Sequence, residues 1–117
     1  MYFGSDNQTG ASPKVLGMLA EANNEYSHGY GDDRWTDQAI EALKALFECD
    51  LEAYFVATGT AANSLALSCM VQPWEATLCH DSAHIFLDES TAPELFTGGA
   101  RMLSVSNGQG KITPEHL

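Results

Sequence analysis

The sequence predicts an α/β fold, a mostly parallel sheet with flanking helices. Three observations predict it. Segments with apolar residues at helical spacing alternate along the chain with short apolar runs rich in strand formers. Turn residues, many of them glycine or proline, separate the two kinds of segment. Hydrophobic residues make up 44 % of the 117 positions, enough for a real core and against wholesale disorder. That length suits one domain and is short for two. No internal repeat, low-complexity tract or linker-like shift in composition interrupts it.

The elements follow in order. Ser12-Pro13 reads as an N-cap with proline at the first helical position, and Val15, Leu16, Leu19 and Ala22 then share one helical face. Asn23-Asn24 ends that helix. Tyr26 to Asp33 is a loop with two glycines. A second helix is predicted from about Thr36 to Glu48, with Ile40, Leu43, Leu46 and Phe47 at spacings of three and four. Ala53 to Ala57 is a short apolar run rich in β-formers and is predicted as a buried strand. Thr58-Gly59-Thr60 is a turn, and Ala61 to Val71 a third helix with Pro73 just past its end. Thr77 to Cys79 is a second strand and Arg101 to Val105 a third. Pro93 to Phe96 is a short helix between them, ended by Gly98-Gly99. Asn107-Gly108 and Gly110 mark a turn. Thr113-Pro114-Glu115 is a helix start that the sequence does not continue, which predicts a truncated chain; a frayed tail is the alternative.

Charge narrows the function classes. Five Lys+Arg against sixteen Asp+Glu give a net charge of −11. A nucleic-acid partner needs cations to neutralise phosphates, so that class is all but excluded, and an anionic membrane surface is disfavoured. The N-terminus lacks the basic start and apolar run of a signal peptide, and no apolar stretch approaches a membrane span. Cys49, Cys69 and Cys79 cannot all pair within one chain and form no Cys-x-x-Cys motif. A reduced, cytoplasmic protein with three buried thiols is the simplest expectation.

Three stretches carry residues fit for chemistry. Phe55 to Asn63 reads as strand, glycine turn, helix. A helix N-terminus exposes unpaired N–H groups and a partial positive charge; Gly59 lets an anion come close, and Thr58 and Thr60 add hydroxyls. The stretch is neither a dinucleotide fingerprint nor a P-loop, and taken alone a glycine turn into a helix is more often plain punctuation. Cys79 to His84, followed by Asp88-Glu89, lies just after a strand, where ligands collect in parallel sheets. His80-x-x-x-His84 lacks a third metal ligand at convincing spacing, and the segment does not read as helical. His80 is expected as a solvated loop residue, and His84, before Ile85-Phe86, as partly buried. A Cys79–His80 nucleophilic pair is opposed by geometry, because neighbours on a strand face opposite ways. Tyr26 to Asp33 could line a pocket, or serve as a connection whose acids cap the next helix.

Taken in order, Phe3-Gly4-Ser5-Asp6-Asn7, Tyr30 to Thr36, Gly59 to Leu67, and Ala83-His84-Ile85 with Asp88-Glu89 form a specific set spanning nearly the whole chain. The chain resembles the N-terminal part of the low-specificity L-threonine aldolases, pyridoxal-phosphate enzymes of the aspartate-aminotransferase-like fold. The related phenylserine aldolases share much of the pattern. The resemblance implies an N-terminal arm, helix and active-site loop over 1–34 and the start of the large cofactor-binding domain over 35–117. It implies pyridoxal 5′-phosphate as cofactor, with Gly59 and Thr60 holding its phosphate and His84 stacking on its ring near the substrate hydroxyl. It implies that Ser5 helps hold the substrate carboxylate and that Tyr30 lies near the active site across a subunit interface of a homodimer or homotetramer.

The implied reaction is retro-aldol cleavage of threonine or allo-threonine to glycine and an aldehyde, with His84 assisting proton transfer. The nearest alternatives are a phenylserine aldolase or another β-eliminating lyase of the same cofactor class. From a different class, the chain would be a non-catalytic folded remnant or binding module. Lys14, Lys44 and Lys111 sit in no family-like anchor motif for the cofactor, and this supports an N-terminal fragment that is inactive alone.

Overall fold

The computed structural model describes residues 4, 8–108 and 110–116. The chain forms two compact units, residues 1–53 and 54–117.

The first unit holds two helices. Helix α1 runs Pro13–Ala22. Ser12 is its N-cap, accepting from Val15 N–H at 3.4 Å, and Pro13 occupies the first turn as the sequence predicts. Asn23 closes it, its N–H bonded to Leu19 O. Helix α2 runs Arg34–Phe47, two residues earlier than the apolar spacing indicates, because the start is set by a cap instead. Asp33 Oδ1 accepts from Trp35 N–H and Thr36 N–H, both at 2.9 Å, and Oδ2 accepts from the Thr36 hydroxyl at 2.7 Å. This is the capping role anticipated for the acids of the Tyr26–Asp33 loop. The Thr36 amide and hydroxyl hold the Asp33 carboxyl below its ordinary range. Glu48 ends α2 in the left-handed region at φ 54°. Val15, Met18, Leu19 and Ala22 of α1 border an apolar hollow with Trp35.

The second unit is built on helix α3, Gly59–Met70, and a two-stranded parallel sheet. Strand β1 is Ala76–His80 and β2 is Arg101–Val105, in register from Ala76 opposite Arg101 to His80 opposite Val105. Two short helices, α4 (His84–Leu87) and α5 (Ala92–Phe96), fill the crossover between them. Parallel strands require such a crossover, so the order β1–α4–α5–β2 follows from the pairing. Helix α5 packs on α3. Ser64 on α3 and Pro93 on α5 are fully buried, and Cys79, Thr97 and Ala100 join them. Gly98 and Gly99 end α5 with positive φ of 73° and 115°, and Gly99 N–H returns to Glu94 O at 2.8 Å.

Three expectations are corrected. Residues 53–57 are no strand: the sheet of the described residues consists of β1 and β2 alone, and a strand exists only by pairing. Tyr54 and Val56 border a hollow with Ala62, Leu65, Ala66 and Cys69 of α3. Helix α3 starts at Gly59, not Ala61, since Thr58 is its cap and Gly59-Thr60 its first turn. Of the three cysteines only Cys79 is buried; Cys49 and Cys69 are exposed. Thr113-Pro114-Glu115 opens a single 3-10 turn, Pro114–His116.

Candidate active site

Helix α3 supplies the first part of the site. The Thr58 hydroxyl accepts from Ala61 N–H at 3.1 Å, and Ala62 N–H reaches Thr58 O at 3.1 Å. The N–H groups of Gly59 and Thr60 and the Thr60 hydroxyl take no hydrogen-bond partner among the described residues. No acidic side chain lies in the first turn to neutralise the helix dipole. A Cβ built on Gly59 meets nothing within 4 Å, so the approach to these donors is open. Three uncommitted donors, a positive helix end and open space fit a phosphate. Gly59 and Thr60 are the two residues to which the family resemblance assigns a phosphate.

Three residues from two parts of the unit make the second feature. Asn63, one turn into α3, donates from Nδ2 to Glu89 Oε1 at 2.7 Å. His84 Nδ1 lies 3.0 Å from the same oxygen. Glu89 follows α4 in the crossover, and its side chain is fully buried while that of His84 is 69 % exposed. The imidazole is thus held from below by a buried carboxylate and offers its other edge to solvent. The exposure of His84 departs from the partly buried state expected for it. Glu89 Oε2 is buried without a partner among the described residues. The sequence marks Asp88-Glu89 and Asn63 only as parts of motifs. The contact between Asn63 and Glu89 spans 26 residues, which no local pattern reveals.

His80 is not a solvated loop residue. It ends β1, is 8 % exposed, and bridges the chain beyond both strands. Ser82 N–H approaches Nδ1 at 3.0 Å, and Nε2 lies 3.1 Å from Asn107 O and 3.3 Å from Asn107 N. Position explains the difference: the strand extends one residue further than its apolar core. His84 begins the short helix α4 while His80 ends a strand. No group of three or more potential metal ligands exists among the described residues. The Cys79 thiol is pushed up by burial, with Glu94 adding repulsion, which opposes a nucleophilic thiolate there.

Tyr30 lies in the first unit. It is fully exposed and sits in the left-handed region at φ 66°, next to Gly31 at φ 84°. Ser5 lies outside the described residues. Lys44 Nζ is committed to Glu41 and Asp50, at 3.2 Å each.

A low specificity L-threonine aldolase of Pseudomonas aeruginosa is 43 % identical over 115 residues, and one from another Pseudomonas strain is 42 % identical over the same length. Each match covers 98 % of this chain and 33 % of the relative, so the chain spans about a third of the length of the curated relatives it matches. A solved structure of Leishmania major threonine aldolase superposes with a TM-score of 0.88 at 30 % identity, over 97 % of this chain and 33 % of that one. The α/β fold is therefore that of a threonine aldolase. The profile of the beta-eliminating lyase family matches residues 3–117, and to that family the chain belongs.

Proposed function

We propose that the whole protein cleaves threonine, allo-threonine or a related β-hydroxy-α-amino acid to glycine and an aldehyde, with pyridoxal 5′-phosphate as cofactor. This chain supplies its N-terminal part. The observation that carries the reading is the pairing, in one compact unit, of an uncommitted helix start with an exposed imidazole fixed by a buried carboxylate. The cofactor, when bound, supplies an electron sink for the carbanion left at Cα as the Cα–Cβ bond breaks.

This chain's residues do the binding and the proton work. The Gly59 and Thr60 amides and the Thr60 hydroxyl hold the phosphate, so an acidic protein needs no cation at that point. His84 lies against the cofactor ring and accepts the proton of the substrate β-hydroxyl. Ser5 helps hold the substrate carboxylate, and Tyr30 acts near the site across the interface of a homodimer or homotetramer. The lysine that anchors the cofactor belongs to the remaining length of the protein. The free thiols Cys49, Cys69 and Cys79 support a reducing, cytoplasmic setting. No helix among the described residues is long and apolar enough to cross a membrane.

The test is product analysis of the whole protein with threonine. Glycine and acetaldehyde in equal amounts are expected; a keto acid with ammonia would replace the aldolase reading by a β-eliminating lyase. His84→Asn should lower kcat by about 10²–10⁴-fold. Unchanged turnover and an unchanged cofactor spectrum in that variant would remove His84 from the mechanism.

A further inference from the structure

We propose that Glu89 is the positioning residue of the site, fixing the hydrogen of His84 on Nδ1 so that Nε2 faces the substrate as a base, with Asn63 holding the carboxylate in place. This rests on the reading of His84 given above. Glu89 Oε1 receives Asn63 Nδ2–H at 2.7 Å and lies 3.0 Å from His84 Nδ1. A carboxylate oxygen is an acceptor only, so the contact with His84 requires a hydrogen on Nδ1. The neutral ring then carries its lone pair on Nε2, the nitrogen turned away from the buried carboxylate.

Three further facts make the contact a device and not a passing pair. The Glu89 side chain is fully buried, so water does not compete for the hydrogen bond. Asn63 comes from α3, the helix whose first turn is the phosphate cradle, and Glu89 comes from the crossover after α4. One carboxylate therefore ties the base to the helix that holds the cofactor phosphate. The other Glu89 oxygen is buried without a partner among the described residues. Burying a carboxylate with one oxygen unsatisfied is costly, and a gain in placing the imidazole offsets that cost.

Glu89 touches no reacting atom in this arrangement. It acts through His84, as an acid that sets a histidine tautomer does in hydrolytic triads. Removing it frees the ring to take its hydrogen on Nε2, the nitrogen that must accept a proton.

The experiment reads the tautomer directly in the cofactor-free whole protein. Nitrogen-15 spectra of the histidine rings are recorded at about pH 8.5, where a typical imidazole is neutral. His84 is assigned by the signal that disappears in His84→Asn. In the wild type, the hydrogen is expected on Nδ1. In Glu89→Ala that preference is expected to be lost. In the loaded enzyme, Glu89→Ala should lower kcat by about 10- to 100-fold while KM for threonine stays within about twofold, because the substrate contacts remain. A wild-type His84 with its hydrogen on Nε2 overturns the proposal, and this needs no variant to fold. An unchanged tautomer or an unchanged kcat in Glu89→Ala overturns it as well. The tautomer measurement involves no turnover, so it judges Glu89 apart from the aldolase reading, which stands or falls on glycine release.

Discussion

Asp33 caps α2 with a carboxylate, and Thr58 caps α3 with a hydroxyl. At α2 the anion is built in. Both carboxylate oxygens are engaged by Trp35 and Thr36, and Asp37 adds a second acid to the first turn. At α3 one hydroxyl satisfies one amide, no acid follows, and the donors of Gly59 and Thr60 remain open. The two starts obey the same rules of capping and dipole, yet one is filled by its own anion and the other keeps open donors. A helix start is thus a candidate site only when its own sequence declines to fill it.

Three changes sharpen or break this comparison. The largest effect is expected from Gly59→Asp, which gives α3 the internal anion that α2 has. A carboxylate within a few ångströms of the cofactor phosphate should weaken cofactor binding by about 100-fold or more. The fold should tolerate the change, since the space beside Gly59 is open. Equilibrium dialysis of the whole protein against the cofactor measures it, and retention of wild-type affinity would break the comparison.

A smaller effect is expected from Thr58→Ala. It removes the side-chain cap of α3 and should cost about 1 kcal/mol of stability, read from the denaturation midpoint. No loss would mean that the cap is redundant and that α3 is fixed by its packing on α5.

The smallest effect concerns pH at α2. The Asp33 carboxyl is lowered from its usual 3.8, chiefly by the Thr36 amide. A group with a lowered folded-state value stabilises the fold above its unfolded value and loses that contribution as pH falls through the lowered one. The advantage of wild type over Asp33→Ala should therefore be constant at neutral pH and shrink only below about 3.8. Carbon-13 titration of the Asp33 carboxyl checks this, and a midpoint at or above the usual value would contradict it.

What the sequence made legible divides along the same line between local and distant causes. Ser12-Pro13, the acids before α2, the glycines after α5 and the strand β2 were all readable, because each is set by a few neighbouring residues. Thr58-Gly59-Thr60 was readable as a turn for that reason, though the place of Gly59 and Thr60 inside the helix was not. The run 53–57 misled because apolar β-formers say nothing about whether a partner strand is present. His80 misled because its ring contact is with Asn107, 27 residues away. His84 was legible by its motif, but the carboxylate beneath it was not. Glu89 and Asn63 meet only once the crossover has folded back on α3.

The central claim is that the open start of α3 holds the cofactor phosphate. It is tested most directly by measuring the affinity of the whole protein for pyridoxal phosphate and for pyridoxal, in wild type and in Gly59→Asp. The account predicts a loss of about 100-fold for pyridoxal phosphate and little change for pyridoxal, because only the first carries the charge that the new carboxylate repels. Equal losses for the two ligands, or none for either, would contradict it.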